Sequence, residues 1–240
     1  MQQANYYGRN DMLRNGILRW GGLFPLVGLM IWIVLTPLMA TIWNLPNSSL
    51  DVLWQRTPFI VKSIGHFLVQ QGIDFRSESV YFRVGRYFFL IYLSLIVGLY
   101  AFHSRVKSEI SAVPKSIFIS YRLLLISLSI VAIGDFISYG LGVFSDFLWR
   151  FGFAVESLVF LIVFLGSIWY GAALLSAKIG LSAPGGLLIA ASLLAPIMVF
   201  EDIFIGYVPN GPVLPYIVVW SVIGLQTTFR TPITSAAKGS

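Results

Sequence analysis

Cysteine is absent from the 240 residues, which excludes disulfides, thiolate metal sites, iron–sulfur clusters and cysteine nucleophiles together. Histidine is nearly as scarce. His66 and His103 are the two in the chain, and they fall in segments that a membrane would hold far apart, so they cannot be the two axial ligands of one haem. No His-x-x-x-His or His-Glu-x-x-His pair is present for zinc. There is also no Gly-x-Ser-x-Gly, no Walker loop and no intramembrane serine matched to a deep histidine, so the common nucleophile and phosphate motifs are missing. "GLSAPGG" at 180–186 is rich in glycine but reads as a turn with Pro184 opening the next helix. No particular cofactor is indicated. The one metal reading left open is a calcium-like oxygen site built from carboxylates.

Charge is the next shortage. Only 11% of residues are Asp, Glu, Lys or Arg, against about a quarter in an ordinary soluble domain. Conversely, 57% are hydrophobic and the mean hydropathy is +0.82. Such a surface must be solvated by lipid. A spanning helix needs roughly 20 apolar residues, so the chain has room for about six spans and no separate soluble domain. Six segments have the required length and apolarity: approximately 20–43, 84–103, 116–140, 151–175, 183–203 and 211–228. The expected fold is therefore all-α, a single polytopic membrane domain over 1–240 built as a six-transmembrane-helix bundle. The N-terminal "MQQANYYGRNDMLRNGILRWGG" has no small-residue cleavage site after a short apolar core, so the first segment is read as a retained span.

Orientation is read from where the cations fall. With the N-terminus cytoplasmic, six spans put ten Lys and Arg and two acidic residues on the inner side, and six cations and eight acidic residues on the outer, a split of +8 against −2. Both termini are then cytoplasmic, in a plasma membrane or a bacterial inner membrane. The net charge of +6 accordingly reports topology and attraction to anionic headgroups rather than nucleic-acid binding. Membrane lipids are the expected partners, together with other membrane subunits if the chain belongs to an assembly.

One connection is long. Between spans 1 and 2, "LWQRTPFIVKSIGHFLVQQG" sets Leu53, Ile60, Ile64, Phe67 and Leu68 near one helical face, with Arg56, Lys62, Ser63, His66 and Gln70 largely opposite. This predicts an outer amphipathic helix over approximately 50–72, lying on the membrane surface or across the span ends. Small residues, among them Gly166, Gly171, Gly185 and Gly186, concentrate in spans 4 and 5 and predict close helix contact there.

The candidate site rests on misplaced charge. Asp135 in "IVAIGDFISYGLG" and Glu156 in "FGFAVESLVFL" lie inside apolar runs, where a charge costs about 2.5–3.5 kcal/mol on insertion scales. Each should face the bundle. Span 3 runs outward and span 4 inward, so both carboxylates should occupy the outer half, and span 5 should bring Glu201 and Asp202 to the same level. Tyr139 shares a helix face with Asp135, and Arg83, Arg86 and Arg150 are the natural counter-ions. The expected function is non-enzymatic: an acidic outer-leaflet pocket for a small ligand, a cation or a lipid headgroup, or a membrane subunit of a larger complex. The alternatives are a transporter or proton or ion pathway and, further off, a metal-assisted enzyme acting on a membrane substrate.

Overall fold

In a computed structural model, residues 20–42, 63, 66–67, 70–71, 78–110, 112–177, 181–204 and 211–229 are described, the side chains of 37–38, 40–42, 78–81, 109 and 199–204 excepted. Of the described residues 92% are helical and none lies in a strand. Seven α-helices are present among them: α1 (Phe24–Ile42), α2 (Glu78–Gly85), α3 (Phe89–Glu109), α4 (Lys115–Asp135), α5 (Asp146–Ser176), α6 (Ser182–Phe204) and α7 (Leu214–Phe229). The prevalence of helix has a simple cause. Lipid offers backbone N–H and C=O groups no partners, so they must bond within their own segment.

Four helical segments are long and apolar enough to cross a membrane: Phe82–Ser108, Lys115–Phe144, Asp146–Ser176 and Gly211–Phe229. Two shorter apolar stretches, Phe24–Thr36 in α1 and Ser182–Met198 in α6, pack with them. Side chains follow the same solvation rule. Large apolar groups such as Leu158, Leu165, Ile126 and Ile133 are exposed on the bundle surface, as lipid permits, while hydroxyls fold back on their own helices. Ser120, Ser129, Ser176, Ser192 and Ser221 each donate to a carbonyl four residues earlier, which satisfies them without a partner helix.

Neighbours in sequence are neighbours in space. α3 packs on α4, α4 on α5, α5 on α6 and α6 on α7, and α7 and α3 both pack on α1, closing a ring; the α4–α5 contact is the most extensive. The reason is small residues at the crossings. A Cβ added to Gly152 on α5 would run into the Ser138 backbone N and lie 2.6 Å from the Gly134 carbonyl oxygen. One added to Gly171 would lie 2.6 Å from the Gly185 carbonyl oxygen on α6. Backbones this close gain van der Waals contact that lipid cannot compete with. Gly186, by contrast, has nothing within 4 Å of the same position.

The core inside the ring is aromatic. Phe160 of α5 stands edge-on to Tyr92 of α3 and to Tyr216 of α7, at 6.1 and 6.0 Å between ring centres. Phe164 stacks parallel to Tyr216 at 5.8 Å, and Phe102 meets Trp220 edge-on at 5.9 Å. Edge-on and stacked rings at these spacings are the arrangements that quadrupoles favour. They fill the space between α3, α5 and α7. The amphipathic segment expected over 50–72 lies largely outside the described residues; of it, Ser63, His66, Phe67, Gln70 and Gln71 are described, and all are exposed.

Candidate intramembrane carboxylate site

Asp135 is the last residue of α4, and the chain continues from it into a π-helical turn, Phe136–Leu141, and a short 3-10 turn, Gly142–Phe144. A π turn widens the helix by one residue and is often found where a side chain must be re-aimed. Here the widened turn lies against α5. The glycine crossing sets the level: a Cβ on Gly134 would lie 3.0 Å from the backbone N of Glu156 and 3.1 Å from the Gly152 carbonyl oxygen. Gly134 and Gly152 thus bring the backbones of Asp135 and Glu156 side by side. Ser138 Oγ donates across the crossing to the Trp149 carbonyl at 3.1 Å and pins the register.

Both carboxylates are buried, Asp135 at 0% and Glu156 at 8% exposure, and they are near enough to interact electrostatically. Their partners differ. The Tyr92 hydroxyl donates to Glu156 Oε1 at 2.6 Å, a short bond from α3 to α5. Neither Oδ1 nor Oδ2 of Asp135 has a hydrogen-bond partner among the described residues. A buried polar group without a partner is costly, by about 1–3 kcal/mol and more for a charge. Two buried carboxyl groups side by side are balanced in charge only when a proton or another cation sits with them.

The remaining site residues distribute as follows. Tyr139 is buried on the π turn, with its ring packed on Gly85 and 6.3 Å from the ring of Phe88. Glu201 and Asp202 are in the last turn of α6, with side chains outside the described set. Arg150 pairs with Asp146 one turn earlier on α5, at 2.9 Å, with both side chains exposed. That pair is a surface contact of small energetic weight, and it directs the guanidinium to Asp146. Arg83 and Arg86 are exposed, and Arg86 lies over and bonds to Tyr87. Among the described residues, then, the structure brings together Asp135, Glu156 and a residue that sequence reasoning passed over, Tyr92. The chain has eleven tyrosines, and no local signal in the sequence marks this one.

No three His, Asp or Glu side chains among the described residues are grouped to hold a metal ion. Asp135 and Glu156 are the two carboxylates that the described residues bring to this crossing. Compared with known proteins, the chain matches no family model, no curated protein and no solved structure.

A second buried polar group lies toward the opposite end of the bundle. His103 of α3 is only 3% exposed, although counting from the end of the second expected span reads it as an interfacial histidine. Its ring stacks on Tyr121 of α4, 3.6 Å between centres and 3° from parallel. Its Nδ1 is 3.2 Å from the Tyr170 hydroxyl of α5, and its Nε2 has no partner among the described residues. The two aromatic rings cover it from α4 and α5. Nearby on the surface, Lys107 and Arg122 both stand over the Phe118 ring, at 5.7 and 4.3 Å.

Proposed function

We propose that this chain is a six-span membrane protein that binds a singly charged cation, a proton included, between Asp135 and Glu156. The observation that carries the reading is the pair itself: two carboxyl groups buried at one helix crossing, one bonded to Tyr92 and the other with no partner among the described residues. A purely structural clasp would bring a cationic side chain to them, yet Arg150 is turned to Asp146. With the N-terminus inside, the crossing belongs to the outer half of the membrane, and Glu201 and Asp202 at the end of α6 would extend the acidic layer and complete an outer-leaflet pocket. Tyr139 would furnish a wall of it and the segment 50–72 its cover. Lys107 and Arg122, gathered on Phe118, would then meet anionic headgroups of the inner leaflet.

A hydrophobic carbodiimide tests the site, because it forms adducts with a carboxyl group that holds its proton in apolar surroundings. Native membranes treated with it should yield one adduct by mass spectrometry, on Asp135 or Glu156, and none on the exposed, ion-paired Asp146. Asp135→Asn and Glu156→Gln should each remove or strongly reduce that adduct. Protection by Na⁺, K⁺ or NH₄⁺ would identify a competing cation. Absence of label at both positions, or label equal to that on Asp146, would overturn the reading.

The topology has its own test. The chain lacks cysteine, so single replacements report cleanly: Ser48→Cys should react with an impermeant maleimide from outside intact cells and Ser108→Cys only after the membrane is opened. Labelling of both from the same side would reject a single crossing between residues 48 and 108, and with it the six-span topology that places the carboxylate pair.

A further inference from the structure

Beyond the carboxylate pair, the buried face of α5 carries a series of groups able to take and give protons. Glu156, Phe160, Val163, Ser167 and Tyr170 are all buried and recur every three or four residues, which is one stripe of an α-helix. The polar members of the stripe face polar groups on other helices. Glu156 accepts from Tyr92 of α3. The Tyr216 hydroxyl of α7 donates to Ser192 of α6 at 2.9 Å and lies close to Ser167. Tyr170 meets His103 of α3. Glu156 and Tyr170 are separated by about 21 Å along the helix axis, roughly two-thirds of the 30 Å hydrocarbon thickness.

We propose that this stripe is a proton pathway through the bundle, with His103 as its entry at the end facing the α3–α4 connection and the Asp135–Glu156 pair as its far terminus. The inference rests on the cation reading of that pair and names the cation as the proton. His103 is fitted to the entry role because Nδ1 is engaged by Tyr170 while Nε2 has no partner among the described residues. Nε2, itself buried, takes up a proton once water reaches it, while Nδ1 passes its own to the Tyr170 oxygen, and Tyr170 releases its original hydroxyl proton toward Ser167, one turn back on the same buried stripe of α5. One proton enters and one leaves, and the imidazole is left neutral as its other tautomer. The titratable groups facing His103 are Tyr121 by stacking, Tyr170 by hydrogen bond and Lys107 one turn along α3. From Ser167 the proton passes to Tyr216 and Ser192. Phe160, between the rings of Tyr216 and Tyr92, interrupts the polar series. Transfer past it requires water beside the ring, so Phe160 is the gate and Tyr92 the receiver that hands the proton to Glu156.

The test uses the full chain in liposomes containing a pH-sensitive dye, with a potassium gradient and valinomycin to drive protons inward. Wild-type protein should acidify the lumen at least tenfold faster than protein-free vesicles. Glu156→Gln and His103→Phe, which keeps a ring on Tyr121 but removes both nitrogens, should fall to the protein-free rate. If His103→Phe does not fold, Tyr170→Phe removes the bonded hydroxyl and keeps the packing; it should slow the flux in the same way. Wild-type flux no faster than empty vesicles overturns the pathway. So does full flux in the folded His103 or Tyr170 variant. In either case a carbodiimide adduct on the pair would still uphold the cation site, while loss of that adduct from wild type would bring down both.

Discussion

Gly152→Ala is expected to lower the melting temperature of the detergent-solubilised protein by about 10 °C, corresponding to on the order of 3 kcal/mol for a chain of this size. The added methyl would meet the Ser138 backbone N, the Gly134 carbonyl oxygen at 2.6 Å and the Ser138 Cα at 2.8 Å. All three are backbone, so no side chain can rotate away, and relief requires α4 and α5 to separate. This is the most extensive helix contact in the bundle. Separation would also break the Ser138–Trp149 bond and draw Asp135 from Glu156, so the variant should lose the carbodiimide adduct along with its stability. Gly186→Ala is the matched control. It faces open space, and alanine's better helix propensity should leave stability unchanged or raise it by up to about 1 kcal/mol. Equal melting temperatures for the two variants would mean that the Gly134–Gly152 crossing does not hold the bundle together.

The crossing also marks where sequence reasoning stops. An all-helical membrane fold is legible because composition and run length answer a question about solvent, and lipid admits few solutions. The inward placement of Asp135 and Glu156 is legible for the same reason. What a period or a composition cannot supply is which helix face meets which across the ring. Gly134 and Gly152 are two among twenty-two glycines, and their role exists only at one crossing. Tyr92 is separated from Glu156 by 64 positions, too far for any local pattern. Arg150 reads as a counter-ion for the buried pair by proximity in sequence, but Asp146 stands one turn away on the same helix, and i, i+4 geometry captures it first. His103 reads as interfacial by counting from the end of a span. Two rings from other helices then enclose it, a long-range event that counting does not register.

Asp135→Asn is expected to move stability and function in opposite directions, and the sign of the first decides what the site is. Asparagine has nearly the shape of aspartate, so no cavity opens and no clash arises. Neither Asp135 oxygen accepts a hydrogen bond from a described residue, so the amide gives up no bond seen there. What it removes is an ionisable group at 0% exposure beside a second carboxyl. Exchanging a buried ion pair for well-packed apolar groups of similar volume is commonly neutral or stabilising by about 1–4 kcal/mol, and the uncharged amide, whose NH2 can donate to the Glu156 carboxyl, goes part of that way. Melting in detergent should therefore stay level or rise, by as much as about 10 °C, while the carbodiimide adduct and proton flux are lost. Proteins keep such destabilising groups where function needs them. A clasp predicts the reverse: if Asp135 anchored a cationic side chain, its neutral substitute would leave that charge buried and unpaired, at about 3–5 kcal/mol, and the melting temperature would fall. Glu156→Gln should behave less cleanly, because the Tyr92 hydroxyl already donates to Oε1 and can donate equally to the amide oxygen. Its stability should change little, its flux should vanish, and Tyr92→Phe should slow the flux by removing the group that hands the proton on.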